Sequence, residues 1–210
     1  ADLPTIAYVR SQLGWTALRN GNYTQAIEWL EEGLALYQQT DDLLSVALTF
    51  SGLGEVALRQ NNLDKATILL EKSLKLRREY DHTWGIAASL GSLAWVAMRQ
   101  GQYDQALRCL NESLSIRQNI GDMGGIAWCL EKRGEVARIQ EDPARAVRLL
   151  AAAARIRASV NSIVDPSDQN AYDTLIEGLR TELTPTIFDA VWAEGHDMHL
   201  EQLNAYAFPA

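Results

Sequence analysis

Residues that could support metal or acid–base chemistry are sparse in this sequence. It contains three histidines, and two of them, His196 and His199, lie close to Glu194 and Asp197. This group has no third histidine, no neighbouring cysteine and no HExxH spacing, which are the usual marks of a zinc site. The sequence therefore favours a surface or helix-end role for both histidines, and we expect no metal and no cofactor.

The serines and glycines form no catalytic arrangement either. Ser11 and Ser51 lie in segments of helical apolar spacing, far in sequence from any histidine. The one Gly-x-Gly motif, Gly52-Leu53-Gly54, lies in the middle of such a segment with no strand before it, so it does not predict a phosphate-binding loop. We expect a protein that is not an enzyme.

A repeat of 40 residues organises the chain. Residues 7–46, 47–86, 87–126 and 127–166 align with one another. A fixed period of this size indicates a solenoid, because each unit has an apolar face that it can bury only against its neighbour. One alanine column and one leucine column show the alignment: Ala26, Ala66, Ala106 and Ala146, then Leu30, Leu70, Leu110 and Leu150.

Each repeat is predicted to hold two helices. In the first repeat helical apolar spacing runs over 6–19 and 23–39, with Gly21 between them where a left-handed helix end is expected. Asp142 is expected to cap a helix that has Pro143 at its first position. The predicted fold is all-α: a right-handed superhelical solenoid of four helical hairpins with a C-terminal helical cap.

Glycine returns inside the first helix of three repeats, as Gly14, Gly54 and Gly134. A glycine within a helix costs about 0.5–1 kcal/mol relative to alanine. We therefore expect a neighbour to pack closely at this column. A leucine column, with Leu13 as its first member, is expected in the core beside it.

Charge and composition limit the partners. The net charge is −8, and residues 161–210 hold nine acidic residues against one basic residue. The repeats therefore offer no net positive field for phosphates, and no direct nucleic-acid partner is expected. No apolar run is long enough to cross a bilayer, so we expect no membrane contact and a cytoplasmic location. Two cysteines, Cys109 and Cys129, are expected in the core of a protein from a reducing compartment.

The columns resemble the tetratricopeptide repeat family. The resemblance rests on the Leu-Gly pair of the first helix, seen in Leu53-Gly54, and on small residues such as Ala26 and Gly33 in the second helix. The usual period of that family is 34 residues, so the resemblance is to its long repeats. It implies a non-catalytic module that binds a peptide or a protein partner in a concave groove lined by the first helices.

The resemblance implies which positions of each repeat line the groove. The residue types at these positions differ from one repeat to the next. Leu18 and Leu58 share one of these columns. Two alternatives stay open: arginines at helix ends can complement the helix dipole instead, and the tryptophans can fill helix interfaces. The candidate groove residues are Tyr8, Ser11, Trp15, Arg19, Ser51, Glu55, Arg59, Trp95, Met98, Arg99, Trp128, Glu131, Glu135 and Arg138.

A further arginine column lies in the second helices. Arg77, Arg117 and Arg157 occupy one position of the repeat. We expect these three arginines on solvated or salt-bridged faces.

The predicted domain organisation is four repeats over residues 1–160 and an acidic capping segment over 161–210. Helices are expected over 168–182, 185–195 and 200–208. Their apolar residues are expected to cover the end of the fourth repeat, which a solenoid end requires for solubility. The alternative for this acidic segment is docking to a basic partner. The covering residues are Tyr172, Leu175, Leu179, Phe188, Val191 and Trp192.

Residues 188–195 and 200–207 resemble the tail that closes the repeat region of large bacterial signalling ATPases and transcriptional regulators. That resemblance implies an alternative function, a ligand-sensing regulatory arm whose partners include neighbouring domains of its own chain. The absence of an initial Met agrees with an excised piece of a longer protein. Self-association through an exposed solenoid end is a third alternative.

Overall fold

The computed structural model describes residues 2–165, 168–199, 202–203 and 206. Within these ranges there are helices and turns and no β-strand. Among the first eight helices, every second helix begins 40 residues further along the chain, as predicted. The helices are α1 (Leu3–Arg19), α2 (Tyr23–Gln39), α3 (Leu43–Arg59), α4 (Leu63–Glu79), α5 (Thr83–Arg99), α6 (Tyr103–Ile120), α7 (Met123–Ile139), α8 (Pro143–Ser159), α9 (Gln169–Leu183) and α10 (Pro185–Asp197).

The helices end on a regular backbone signal. A residue in the left-handed region follows each of α1 to α8, as this conformation closes the last turn of a helix. Asp142 then caps α8, since its carboxylate accepts a hydrogen bond from the amide of Arg145 at 2.9 Å. Pro143 begins α8 as expected. The left-handed residues are Gly21, Asp41, Asn61, Asp81, Gly101, Gly121, Glu141 and Asn161.

The chain packs as two units, Ala1–Ala106 and Leu107–Ala210. In unit 1, α1 packs on α2 and α3 on α4, and the hairpins stack because α2 also packs on α3 and α4 on α5. In unit 2, α7 packs on α8, which is covered by α9 and α10. The predicted all-α class and the stacking of helical hairpins are confirmed. The division into four repeats and a capping segment stays a proposal.

The glycine column has the predicted steric cause. A Cβ on Gly14 would lie 2.6 Å from Cγ of Leu30, and one on Gly54 would lie 2.8 Å from Cγ of Leu70. The close neighbour is therefore a leucine side chain of the second helix. The core prediction for Leu13 is wrong, since this residue is exposed; no described helix precedes α1 to cover it.

The two cysteines differ in burial. Cys129 is buried, as expected for a core residue, and Cys109 is half-buried.

Helices α9 and α10 begin and end close to the predicted positions. Leu175, Leu179, Phe188 and Val191 are buried. A Cβ on Gly195 would lie 2.4 Å from the carbonyl oxygen of Arg148, so the backbones of α10 and α8 are in contact. The third predicted helix, 200–208, lies mostly outside the described residues.

The length and hydropathy of the helices bear on whether any could span a membrane. Among those described, none combines the length and the apolar character needed to span a bilayer.

Candidate partner-binding surfaces

The first helices of unit 1 form one continuous surface. Helix α1 contacts α3, and α3 contacts α5, so groove candidates from three repeats are neighbours there. Tyr8 is 58% exposed, and Arg19 and Arg99 are also exposed. Six further candidates on these helices are half-buried: Trp15, Ser51, Glu55, Arg59, Trp95 and Met98.

A stack of three side chains lies at the centre of this surface. The Nε atom of Arg59 is 2.9 Å from Oε1 of Glu55. The guanidinium carbon of Arg59 lies 4.6 Å from the ring centre of Trp95, within range of a cation–π interaction. Arg59 is thus held by one residue of its own helix and one of α5, and this fixes the orientation of the indole. Near it, Nη2 of Arg99 donates a hydrogen bond to Oδ1 of Asn61 at 2.8 Å.

Some groove candidates lie deeper than the surface. Ser11 is buried where α2 packs closely, since a Cβ on Gly33 would lie 3.3 Å from its amide nitrogen. The ring of Trp15 is half-buried over Gly52, where an added Cβ would lie 3.2 Å from it. The groove prediction is wrong for Leu18 and Leu58, because both side chains are buried in the core of unit 1.

A buried polar chain runs beneath the surface of unit 1. The hydroxyl of Ser51 is 2.8 Å from that of Ser73, which is 3.2 Å from that of Ser89. Nη1 of Arg77 completes the chain by donating to Oγ of Ser89 at 3.1 Å and to the carbonyl of Gly85 at 2.7 Å.

Arg77 is 4% exposed, and no carboxylate of the described residues forms an ion pair with it. Burial lowers the pKa of Arg77 to about 10. The expectation of a solvated or salt-bridged face is therefore wrong for Arg77. Among the described residues, the hydroxyl of Ser89 and the carbonyl of Gly85 compensate its charge.

The equivalent arginine of unit 2 is paired. Nε and Nη2 of Arg157 donate to the two carboxylate oxygens of Glu131 at 2.6 and 2.8 Å. Arg157 also donates to Oγ of Ser162 and to the carbonyl of Ile163. Arg117, at the same position of the repeat, forms an ion pair with Asp122. The salt-bridged expectation is confirmed for Arg117 and Arg157. The carboxylate of Glu131 is buried and bound within unit 2.

A small cleft borders this ion pair. Burial raises the pKa of Glu135, and the paired ammonium of Lys132 opposes that rise. Burial and the charge of Glu131 raise the pKa of Tyr172 to about 12. The cleft encloses about 20 Å³, and a water molecule needs about 10–15 Å³. It therefore has room for about one water molecule. Trp128, Val164, Asp165, Asp168 and Ala171 complete its wall.

Arginines of unit 2 bind the acidic C-terminal segment. Arg138 donates from Nη2 to Oε1 of Glu182 at 2.7 Å. Arg148 donates from Nε to Oε2 of Glu194 at 2.8 Å. Carboxylates of this segment are thus paired inside unit 2.

No group of three or more histidine, cysteine or acidic residues is placed to hold a metal ion in the part of the chain that the structure describes.

Hairpins that stack on one another, with aromatic and charged side chains on their first helices, define an α-helical repeat protein. The tetratricopeptide repeat model matches residues 5–79 and 85–159, which is more than half of the chain. The chain therefore belongs to the tetratricopeptide repeat family, whose members generally bind other proteins along such surfaces.

Solved structures with the same fold cover nearly the whole chain. The crystal structure of BtubC (BKLC) from P. vanneervenii has a TM-score of 0.56 and 17% identity, and the match covers 95% of this chain and 94% of that chain. A putative kinesin light chain from Podosopora anserina with nearly identical TPR-like repeats has a TM-score of 0.51 and 17% identity, over 93% and 99% of the two chains. A point variant of that protein has a TM-score of 0.52 and 18% identity, over 89% and 98%. At these identities the likeness shows the fold alone.

Among curated proteins, none matches the chain significantly.

Proposed function

We propose that unit 1 binds an extended segment of a protein partner across α1, α3 and α5. The observation that supports it best is the Glu55–Arg59–Trp95 stack on adjoining first helices. The indole of Trp95 offers an apolar surface to a partner, and the guanidinium of Arg59 beside it offers hydrogen-bond donors in a fixed direction. Exposed Tyr8 and Arg99 extend the surface to either side of this stack.

Charge indicates the chemistry of the partner segment. Helices α1, α3 and α5 contain four arginines and one acidic residue, Glu55, which is paired with Arg59. Arginine recognises carboxylates through charge-assisted hydrogen bonds. The partner segment is therefore one that combines an aromatic or aliphatic residue with carboxylates.

The groove candidates of unit 2 have a different role in this proposal. Glu131 pairs with Arg157, and Arg138 pairs with Glu182. Glu135 pairs with Lys132. Glu131 and Glu135 are thus engaged within the repeats of unit 2, and Arg138 is engaged with its C-terminal segment, so the proposed partner surface is confined to unit 1.

The test begins with peptides selected from a random library on the chain of 210 residues, whose affinities are then measured by calorimetry. Tyr8→Ala and Arg99→Ala change exposed residues and should leave the fold intact. Each is expected to weaken binding about tenfold, as for loss of one aromatic contact or one charge-assisted bond of roughly 1.4 kcal/mol.

The matched control is Lys75→Ala, an exposed cation on the second helix α4 of the same unit. It should leave the affinity unchanged. Equal affinities for all four proteins, the wild type included, would overturn the proposal.

A further inference from the structure

The serine hydroxyls of unit 1 connect the surface of α3 to a buried guanidinium. Ser51 of α3 is half-buried, whereas Ser73 of α4 and Ser89 of α5 are 0% and 1% exposed. Oγ of Ser51 is 2.8 Å from that of Ser73, which is 3.2 Å from that of Ser89, and Nη1 of Arg77 donates to Ser89 at 3.1 Å. This serine chain thus has a cationic donor at its inner end and reaches the surface at Ser51.

The guanidinium fixes the direction of the hydrogen bonds in the serine chain. An arginine side chain has donors and no acceptor, so the oxygen of Ser89 accepts from Arg77. Among the described residues, the acceptor left for the proton of Ser89 is the oxygen of Ser73. By the same reasoning Ser73 donates to Ser51. The burial of Ser73 and Ser89 supports this direction, because a buried hydroxyl proton without an acceptor is costly.

The proton of Ser51 is directed away from the serine chain. Its oxygen accepts from Ser73, and the described residues provide no further hydrogen-bond partner for this hydroxyl. Ser51 lies on α3, between the neighbouring first helices α1 and α5, so its proton is available to solvent or to a bound partner. Hydrogen bonds in a chain polarise one another, and the charge of Arg77 at the inner end therefore strengthens Ser51 as a donor.

Unit 2 indicates which chemical group suits this position. Ser51 and Arg77 occupy the same two positions of the repeat as Glu131 and Arg157. The carboxylate of Glu131 accepts hydrogen bonds from Arg157 at 2.6 and 2.8 Å. Unit 2 therefore supplies its own carboxylate to this arginine, and unit 1 has a neutral hydroxyl at the position from which that carboxylate comes.

We propose that Ser51 binds a carboxylate of the partner segment, with its hydroxyl oriented by Arg77 through the two buried serines. This inference rests on the proposed function and assigns one of its contacts. Ser51 is the binding residue, and Arg77 is a positioning residue that does not touch the ligand. A carboxylate is favoured over a neutral acceptor because no described carboxylate neutralises Arg77. The carboxylate of Glu55, one turn along α3, is paired with Arg59.

Peptides selected on the chain of 210 residues provide the test, with each acidic residue of a peptide replaced in turn by its amide. On the wild type, the replacement at the carboxylate that faces Ser51 should weaken binding about tenfold, as for loss of one charge-assisted hydrogen bond. Ser51→Ala and Arg77→Met should each bind the acidic peptide and this amide peptide with nearly equal affinity. Ser51→Thr keeps the hydroxyl and should keep the preference for the carboxylate.

The matched control is Ser92→Ala, which changes a half-buried serine of α5 outside the serine chain. It should prefer the acidic peptide as the wild type does. The ratio of the two affinities separates positioning from a general loss of structure, which would weaken both peptides equally.

Two results overturn this proposal alone. One is a preference for the carboxylate that persists in Ser51→Ala or in Arg77→Met, while Tyr8→Ala and Arg99→Ala weaken binding. The other is a wild type for which every amide replacement that weakens binding does so equally in Ser51→Ala. Binding that none of these variants changes overturns the proposed function together with this inference.

Discussion

Two arginines at one position of the repeat show how the two units stabilise a buried cation differently. In unit 1 Arg77 is bound by a serine hydroxyl and a carbonyl oxygen, within a chain of serines. In unit 2 Arg157 forms two parallel hydrogen bonds with the buried carboxylate of Glu131. The two arginines occupy the same position of the repeat. Neutral groups compensate the charge of Arg77, and a carboxylate compensates that of Arg157.

The difference affects what each substitution leaves behind. Removing one member of a buried ion pair leaves the other charge uncompensated, which costs far more than the pair itself contributes. Removing Arg77 leaves only neutral groups. The two positions should therefore respond very differently to the same change, although the repeat makes them equivalent.

The largest effect is expected for Arg157→Met. The variant should lose about 3–5 kcal/mol of unfolding free energy, because the carboxylate of Glu131 stays buried without its partner. Urea unfolding followed by circular dichroism measures the loss. The double variant Glu131→Met/Arg157→Met should regain most of it, and a double variant as unstable as the single one would contradict the explanation.

A smaller effect is expected at high pH. The pKa of Tyr172 is raised to about 12 in the folded chain, while the unfolded value is 10.0. The neutral phenol therefore contributes stability that is complete below pH 10 and is lost as the pH rises to about 12.

Thermal midpoints of the wild type and of Tyr172→Phe, measured from pH 9 to 12 around that window, test this effect. The wild type should lose more stability than the variant over this range. Parallel curves would show that Tyr172 ionises as it does in the unfolded chain.

The smallest effect is expected for Arg77→Met. Burial disfavours the charge of Arg77, so its removal offsets the loss of the hydrogen bonds to Ser89 and Gly85. The unfolding free energy should change by about 1 kcal/mol or less. A loss as large as that of Arg157→Met, measured in the same urea series, would remove the contrast between the units.

Much of the fold follows from the period of the sequence. Helix α2 begins and ends where the apolar spacing predicts, at Tyr23 and Gln39. Helix α1 begins earlier than predicted, at Leu3, because Pro4 suits the first turn of a helix and extends it beyond the apolar pattern.

The buried polar contacts could not be predicted in this way. The repeat places Arg77 and Arg157 in one column, while their partners come from other columns. Ser73 and Ser89 fall in columns of small residues, which the pattern explains by packing alone.

The C-terminal contacts of Arg138 and Arg148 were also not predictable. Helix α9 begins at Gln169 and so departs from the spacing of the repeats. The position of α9 on α7 and α8 depends on side chains that lie outside the 40-residue repeat, so the repeat does not predict it. The resemblance of this segment to the tails of bacterial regulators stays a prediction.

The left-handed residue that recurs at every twentieth position has a consequence for how such a chain changes length. Asp41 and Asp81 close α2 and α4 with nearly equal φ, 51° and 50°. Excising the residues between them would join two helix ends that already share one local backbone conformation. Gain or loss of a whole hairpin therefore requires no new loop geometry, only a matching helix face on each side of the junction.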